Sequence, residues 1–337
     1  MENLNYNPNC FKSFLLNYKI SHTENLDLAT LSFINAGGIS RFFVEPKNQN
    51  ELLNLIAFLN EKKISFLIIG NLSNTLFRDG TIYTILISTK YINNILYKND
   101  LIEVEAGVLL PQLAYKLTKE GYIGFAGLTG FPATIGGAIY MNASCYDSCI
   151  SDKLLYVDIL NEKGLIERWD KDKFNFKWRY SILHDLDKKF IILSATFTLE
   201  IGNLSILKNT LSKIKAKRLT FQEHRNPNLG SIFATENIYK EITKKNIIYL
   251  LFYYQFLIFS KIFLKKYPLI HAHFLNKLTQ IFFNVYNNKI KFSYYTFNCI
   301  INKNNNNADD LIRFIRYIHK KIKYCVKIEI IIYDKIN

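Results

Sequence analysis

Two glycine-rich runs carry the first hint of chemistry in this chain. Five of its 14 glycines fall between Gly124 and Gly137, inside the run GYIGFAGLTGFPATIGGAIYMN at Gly121–Asn142. Glycine accepts positive φ and lets another group approach the backbone closely. Backbone N–H groups laid open in this way can cradle a phosphate. The same run could equally be a cluster of structural turns. A second loop, GNLSNTL at Gly70–Leu76, follows the short apolar stretch Ser65–Ile69. Ligands of open α/β sheets sit beyond the carboxyl ends of strands, so this loop is a candidate binding site on position alone.

Other reactive residues fall short of a pattern. The five cysteines are scattered and contain no CxxC, so neither a disulfide framework nor a zinc site is indicated. Reduced thiols in a cytoplasmic protein are the expectation. His271 and His273 alternate, and with His224 they could suggest a metal. No carboxylate or cysteine pattern joins them, so ordinary surface or core histidines are the better reading, and no metal is expected.

The elements that must position the loops follow from periodicity. Strands are predicted at Phe42–Glu45, Ser65–Ile69, Tyr83–Ser88 and Ile102–Ala106. Between the first two, Asn50–Asn60 sets Leu52, Leu53, Ile56 and Leu59 on one helical face. A short helix is predicted at Pro111–Glu120. Strands follow at Tyr156–Asn161 and Phe190–Glu200, then a helix at Leu204–Arg218 and an irregular stretch at Phe221–Leu229. Beyond Phe233 the chain turns aromatic and lysine-rich, with an amphipathic helix at Ala308–Ile322 and a last strand at Val326–Tyr333. The early strand–helix–strand order suggests an α/β half-domain.

Composition is that of an ordinary globular chain, with 49% hydrophobic and 21% charged residues. The formal net charge of +15 admits a polyanionic partner. Asn, Ile and Lys recur throughout, as in Asn304–Asn307 and Ile330–Ile332, so compositional drift explains the lysines better. No arginine-rich run or aromatic ladder accompanies the charge, and nucleic-acid binding is not expected. No signal peptide is recognised. The stretch IIYLLFYYQFLIFSKIFL at Ile247–Leu264 is interrupted by Gln255, Ser260 and Lys261. A bilayer span needs about 20 mainly apolar residues. A buried or interfacial helix is therefore expected, with anchoring to an acidic membrane face through Lys265 and Lys266 left open.

Four pieces, taken in order, resemble the UDP-N-acetylenolpyruvoylglucosamine reductase family. Ile69–Leu76 (IGNLSNTL) is similar to the family's Gly-Gly-Gly-Ser-Asn loop: Gly70, Ser73 and Asn74 match, while Asn71 and Leu72 replace glycines. Gly127–Ala138 (GLTGFPATIGGA) resembles Gly-x-Pro-Gly-Thr-x-Gly-Gly-Ala, with Ala133 for one glycine, and Asn142 and Ala143 continue the match. Phe176–Ser181 (FKWRYS) resembles Phe-x-Tyr-Arg-x-Ser. Arg218–Phe233 (RLTFQEHRNPNLGSIF) resembles the run ending in Gly-Ser-x-Phe, with Arg218, Gln222, Pro227 and Gly230 in register. Asn35–Gly38 fits a short turn near the family's N-terminus. The resemblance covers roughly Leu31 to Phe233 and returns weakly from Asn298.

The resemblance implies an α+β fold: a two-part FAD-binding domain of PCMH type over residues 31–202, and a C-terminal α+β substrate-type domain over 203–337. Residues 1–30 would be an N-terminal extension, and 246–290 a remodelled apolar helical segment. It implies noncovalent FAD against Gly70, Asn71, Leu72, Ser73, Asn74, Gly130, Pro132, Ala133, Thr134, Gly136, Gly137, Ala138 and Asn142. It further implies NADPH as reductant and a nucleotide-sugar substrate, UDP-N-acetylglucosamine enolpyruvate, reduced to UDP-N-acetylmuramate for peptidoglycan. Arg179 then sits at the catalytic arginine, where a guanidinium stabilises developing negative charge. Ser231 sits at the serine that supplies a proton.

The chain departs from the family in its last third. The family ends in Leu-Glu-x-Glu-Val, where the second Glu assists catalysis; here KIEIII (Lys327–Ile332) puts Ile331 in that place. Glu329, two residues earlier on the same strand face, is the tentative substitute. Ala234, Thr235 and Glu236 replace the usual Lys-Asn-Pro, and Thr296 stands where a histidine is common. Three readings are consistent with this pattern: a working divergent reductase, a flavoprotein acting on another nucleotide sugar, and a FAD-binding scaffold or membrane-associated partner without turnover.

Overall fold

A computed structural model of the chain describes residues 7–186, 190–264 and 266–333. The first unit begins with helix α1 (Pro8–Asn17) and strand β1 (Ser21–Asp27). Asn7 caps α1 by accepting from the N–H groups of Asn9 and Cys10. Strand β2 (Ile39–Glu45), helix α2 (Gln49–Glu61), and strands β3 (Leu67–Ile69), β4 (Thr75–Phe77) and β5 (Ile82–Ser88) follow. The sheet order is β1-β2-β5-β3, with β2 and β3 parallel to β5 and β1 antiparallel at the edge. Helix α2 provides the crossover that parallel strands require, and its Leu52, Leu55, Ile56 and Leu59 are buried against the sheet. Within residues 7–27, α1 buries Phe11 against Phe42, ring centroids 5.1 Å apart, and β1 pairs along β2.

The second unit is an antiparallel sheet with helices on its face. Strands β6 (Ile95–Lys98) and β7 (Leu101–Glu105) lead to helix α3 (Leu110–Glu120) and the short helix α4 (Ile135–Tyr140). A small hairpin, β8 (Ser144–Cys145) and β9 (Ser148–Cys149), precedes β10 (Leu154–Leu160), β11 (Ile166–Asp170) and β12 (Ile191–Thr198). The sheet order is β11-β10-β12-β7-β6. Its apolar face packs on α3 and α4 through Leu113, Leu117, Ile135 and Ile139. Helix α5 (Leu204–Phe221) lies against α3, and Arg218 in its last turn donates to the carbonyl of Gly127. Because α5 is carried by this unit, we propose that the break between FAD-binding and C-terminal parts follows α5 rather than preceding it.

The C-terminal unit is mainly helical. It comprises α6 (Ile238–Lys245), α7 (Ile247–Phe263), α8 (Pro268–Phe282), the short pair β13 (Lys291–Phe292) and β14 (Ile300–Ile301), α9 (Ala308–Lys321) and β15 (Ile331–Tyr333). Its core joins Tyr249, Phe256, Leu275, Phe297, Leu311 and Ile315 with Ile34, Ala36 and Leu76 of the first unit. Strand β15 pairs in parallel with β4. The strand expected over Val326–Tyr333 is thus confined to its last three residues. Upstream, the Glu329 N–H donates to the Ile232 carbonyl and Lys327 accepts from the Ala234 N–H, which makes a single antiparallel bridge between Ile328 and Phe233 and not a continued strand. The whole is an α+β fold, and among the described residues no helix is long and apolar enough to cross a membrane.

Candidate active site

The first glycine loop leaves β3 at its carboxyl end and runs across to β4. Gly70 has no room for a side chain there, since a Cβ would stand 2.5 Å from Thr134 Oγ1. That hydroxyl is already committed: it accepts from the Gly137 N–H and caps α4. Asn71 Nδ2 donates to the Pro132 carbonyl at 3.1 Å. Two loops that are remote in sequence are therefore tied edge to edge. Among the described residues, no backbone N–H from Gly70 to Asn74 donates to a protein acceptor. A run of free N–H groups at a cavity wall is a fitting cradle for a pyrophosphate.

The second loop is held from the far side. Arg218 donates to the carbonyls of Gly127 and Gly130 and to Gln222 Oε1. Its guanidinium also lies 5.1 Å from the Tyr146 ring. Gly130 has φ +84, a conformation that L side chains rarely adopt. Between the loops opens a cavity of about 730 Å3, within the ~300–1,000 Å3 of cofactor and ligand pockets. Gly70, Asn71, Leu72, Ser73 and Asn74 line it from one side, and Gly130, Pro132, Ala133, Thr134, Gly136 and Gly137 from the other. Ala138 and Asn142 stand one layer back, off the cavity wall. Ala138 is fully buried in the core. Asn142 donates to the Lys177 carbonyl at 2.9 Å.

That last bond matters because Lys177 opens the turn that carries Arg179. Lys177 and Tyr180 exchange backbone hydrogen bonds, and Arg179 sits between them with φ 52. This is a conformation usually left to Gly or Asn. The guanidinium lies 5.2 Å from the Phe131 ring and 5.6 Å from the Trp178 ring. Its Nε is 3.1 Å from Glu329 Oε1, and both side chains are nearly buried. The approach is too oblique for a hydrogen bond, so Nε and Nη1 of Arg179 are both without a hydrogen-bond partner.

Asn74 holds the backbone that leaves Glu329. Asn74 Nδ2 donates to the Glu329 carbonyl, and the Asn74 carbonyl accepts from the Ile331 N–H. Glu329 and Ile331 both line the cavity, as expected of residues two apart. Burial pushes the Glu329 carboxyl up to about 7, against the opposing pull of Arg179. Ser231 lines the same cavity and is next to Ile232, whose carbonyl accepts from the Glu329 N–H. Arg179, Ser231 and Glu329, separated widely in sequence, are thus brought to one place.

Several lining residues escaped the sequence reading of the site. Tyr333 stacks on Phe77 at 4.9 Å and forms part of the wall. Phe131 lies beside Arg179, and His224 also lines the cavity, as does Thr296, noted above only for its departure from the family. Arg218 was legible as a residue in register with a family run, but its part as a clamp on the glycine loop depends on the path of α5. Among the described lining residues, arginines and one histidine, not lysines, are the basic side chains.

Comparison with known proteins agrees with this geometry. A family described as "FAD binding domain" matches residues 40–170. The UDP-N-acetylenolpyruvoylglucosamine reductase of Carboxydothermus hydrogenoformans is 35% identical over 211 residues, 62% of this chain and 69% of that protein. That of Caldicellulosiruptor saccharolyticus is 32% identical over 225 residues, 66% of this chain and 72% of that protein. In Clostridium botulinum the similarity extends over 95% of this chain and 94% of the relative, at 27% identity. The crystal structure of UDP-N-acetylenolpyruvylglucosamine reductase from Thermus caldophilus shares the fold, with a TM-score of 0.69 at 17% identity over 93% of this chain and 99% of that one. The two tied loops thus belong to a FAD-binding domain, and the chain is a member of the UDP-N-acetylenolpyruvoylglucosamine reductase family.

Proposed function

We propose that this protein uses NADPH and FAD to reduce UDP-N-acetylglucosamine enolpyruvate to UDP-N-acetylmuramate, a step of peptidoglycan precursor synthesis. One observation carries the reading: Arg179, Ser231 and Glu329 share a single cavity with both glycine loops. The free N–H run at Gly70–Asn74, the close approach of Gly70 to Thr134, and the cavity's size all suit FAD. When bound, FAD supplies hydride-transfer chemistry.

The protein's own residues have distinct tasks in this proposal. Reduction of the enolpyruvyl double bond builds negative charge on the substrate carboxylate. Arg179 has two unpaired N–H groups in a poorly solvated wall, so it can receive that charge without first breaking a hydrogen bond. The carbon that does not take hydride needs a proton. Ser231 has a hydroxyl on the cavity and supplies it. Glu329, held partly protonated near neutral pH, balances the charge beside Arg179 and serves as the proton reserve. Phe131 and Tyr333 help exclude water.

A second reading is favoured by Ile331, which can neither carry charge nor donate a proton, and by Ala234–Glu236 in place of Lys-Asn-Pro. On this reading the cavity accepts a different nucleotide sugar. The deciding experiment is anaerobic: reduce the bound flavin, add UDP-N-acetylglucosamine enolpyruvate, and follow flavin absorbance. Rapid reoxidation supports the first reading. Flavin that stays reduced sinks it and leaves the second.

A further inference from the structure

Helix α7 presents to solvent the face a soluble protein normally hides. Tyr249, Tyr253, Phe256 and Ser260 form its buried side. The opposite side of a surface helix is expected to be polar. Here it carries Ile247, Leu251, Tyr254, Ile258 and Ile262, which are 58–68% exposed. Their spacing of four, three, four and four residues makes one continuous apolar line along the helix. Phe263, Tyr267 and Ile270 continue it into α8, all at least 48% exposed. Contiguous apolar patches of this kind mark an interaction surface.

The charges around the patch identify the partner. Between Glu241 and Asp309 the sequence contains nine lysines and no Asp or Glu. Lys245, Lys261, Lys266 and Lys277 are exposed; Lys265 lies outside the described residues. The helix is 17 residues long, about 25 Å at ~1.5 Å per residue. That is short of a bilayer's ~30 Å hydrocarbon core, and one side of it is packed onto the protein. A second copy seated on this face by two-fold symmetry would set lysines against lysines, with no acid in the segment to pair them. An apolar line in a segment whose charges are all cations matches the interface of a bilayer rich in anionic lipid.

We propose that the outward face of α7 docks the protein onto an anionic membrane surface, with the helix lying in the plane of the interface and the lysines on lipid headgroups. This is independent of the catalytic reading, because none of these residues lines the cavity.

The test uses the full-length, FAD-loaded protein in co-sedimentation with vesicles. Vesicles of phosphatidylcholine containing about one-third phosphatidylglycerol should bind roughly tenfold more protein than pure phosphatidylcholine. Binding should weaken in about 0.5 M NaCl. The triple variant Leu251→Ser/Ile258→Ser/Ile262→Ser should lose binding while its flavin content stays unchanged. Lys261→Glu/Lys266→Glu should lose the preference for anionic vesicles. Should the serine variant misfold, the lysine variant and the salt dependence decide alone. No binding to anionic vesicles overturns the proposal, as does binding indifferent to lipid charge. Light scattering that shows a dimer abolished by the serine variant, without vesicle binding, overturns it too and assigns the face to a second copy.

Discussion

Arg179 Nε and Glu329 Oε1 lie 3.1 Å apart, and yet no hydrogen bond joins them. The pair is close enough to feel each other's charge but not aligned to satisfy it. In a poorly solvated wall such an arrangement keeps the guanidinium available to a third, anionic group. It also leaves the carboxyl with burial as its dominant influence, which is why its proton is held to about pH 7.

Turnover should fall as pH rises through about 7, when Glu329 loses its proton. The Glu329→Gln variant should be slower, by roughly 10²–10⁴-fold for a lost acid–base group, and its pH profile should lack that ionisation. The same proton affects stability. The folded carboxyl holds its proton more tightly than an unfolded glutamate of pKa about 4.3. Its contribution is therefore complete below about pH 4.3 and lost as pH rises through about 7. Thermal melts of wild type should accordingly decline from pH 5 to pH 8 more than those of the variant. Identical profiles would remove Glu329 from the mechanism.

Moving the carboxylate gives a sharper test of position. Glu329→Gln combined with Ile331→Glu should recover part of the lost turnover, since both positions line the cavity. Absence of recovery, with flavin still bound, would show that the Asn74-gripped site at Glu329 has become the working one in this chain.

Arg179→Met should keep the flavin and still accept reducing equivalents from NADPH. Its turnover of the enolpyruvyl substrate should fall by about 10²–10³-fold, the usual scale for a lost charge-stabilising donor. Loss of flavin from this variant would mean that Arg179 holds the cofactor rather than the reacting substrate.

Ser231→Ala should likewise leave FAD bound and reducible while substrate turnover drops by at least about 10²-fold. Stopped-flow separation of the two half-reactions distinguishes this from a binding defect. If flavin is stripped instead, Ser231 is a structural residue.

The glycine loops should fail in a different way. Gly70→Val places atoms against Thr134 Oγ1, which caps α4. Gly137→Leu fills space beside the same cap. Both variants should fold, as judged by circular dichroism, and emerge with lowered flavin occupancy. Full occupancy in either would count against the two loops as the pyrophosphate cradle.

The sequence made the flavin half readable because its elements are local. The Leu52–Leu59 stripe, the apolar run before Gly70 and the alternating strand near Phe197 each fix their own conformation, and the structure has them within a few residues. Strand β1 was hidden: His22, Glu24 and Asn25 give it no apolar face, and it exists because β2 offers it an edge. The last strand failed in the opposite sense. Its isoleucines read as eight residues of one strand, but Ile328 bridges to Phe233, nearly a hundred residues earlier, while Ile331–Tyr333 pair with β4, so the run is split between two partners. Asn142 shows the same limit at the site. Its place in a motif suggested cofactor contact; the bond its side chain makes to the turn that carries Arg179 could not be read from the sequence.

The parallel pairing of β15 with β4 has a consequence for the order of assembly. Tyr333 accepts from both the Arg78 N–H and the Tyr83 hydroxyl, and Asp79 accepts from the Ala308 N–H. The early loop at Gly70–Asn74 that lines the cavity is thus closed by residues about 255 positions later. Chains fold largely from the N-terminus as they are made, and contacts of such separation form slowly. That order would lay down the loops first and seal the wall last, leaving a nascent stage with one wall missing. Cofactor capture during that interval would favour the closed form by mass action, and free FAD would then be a partner in folding.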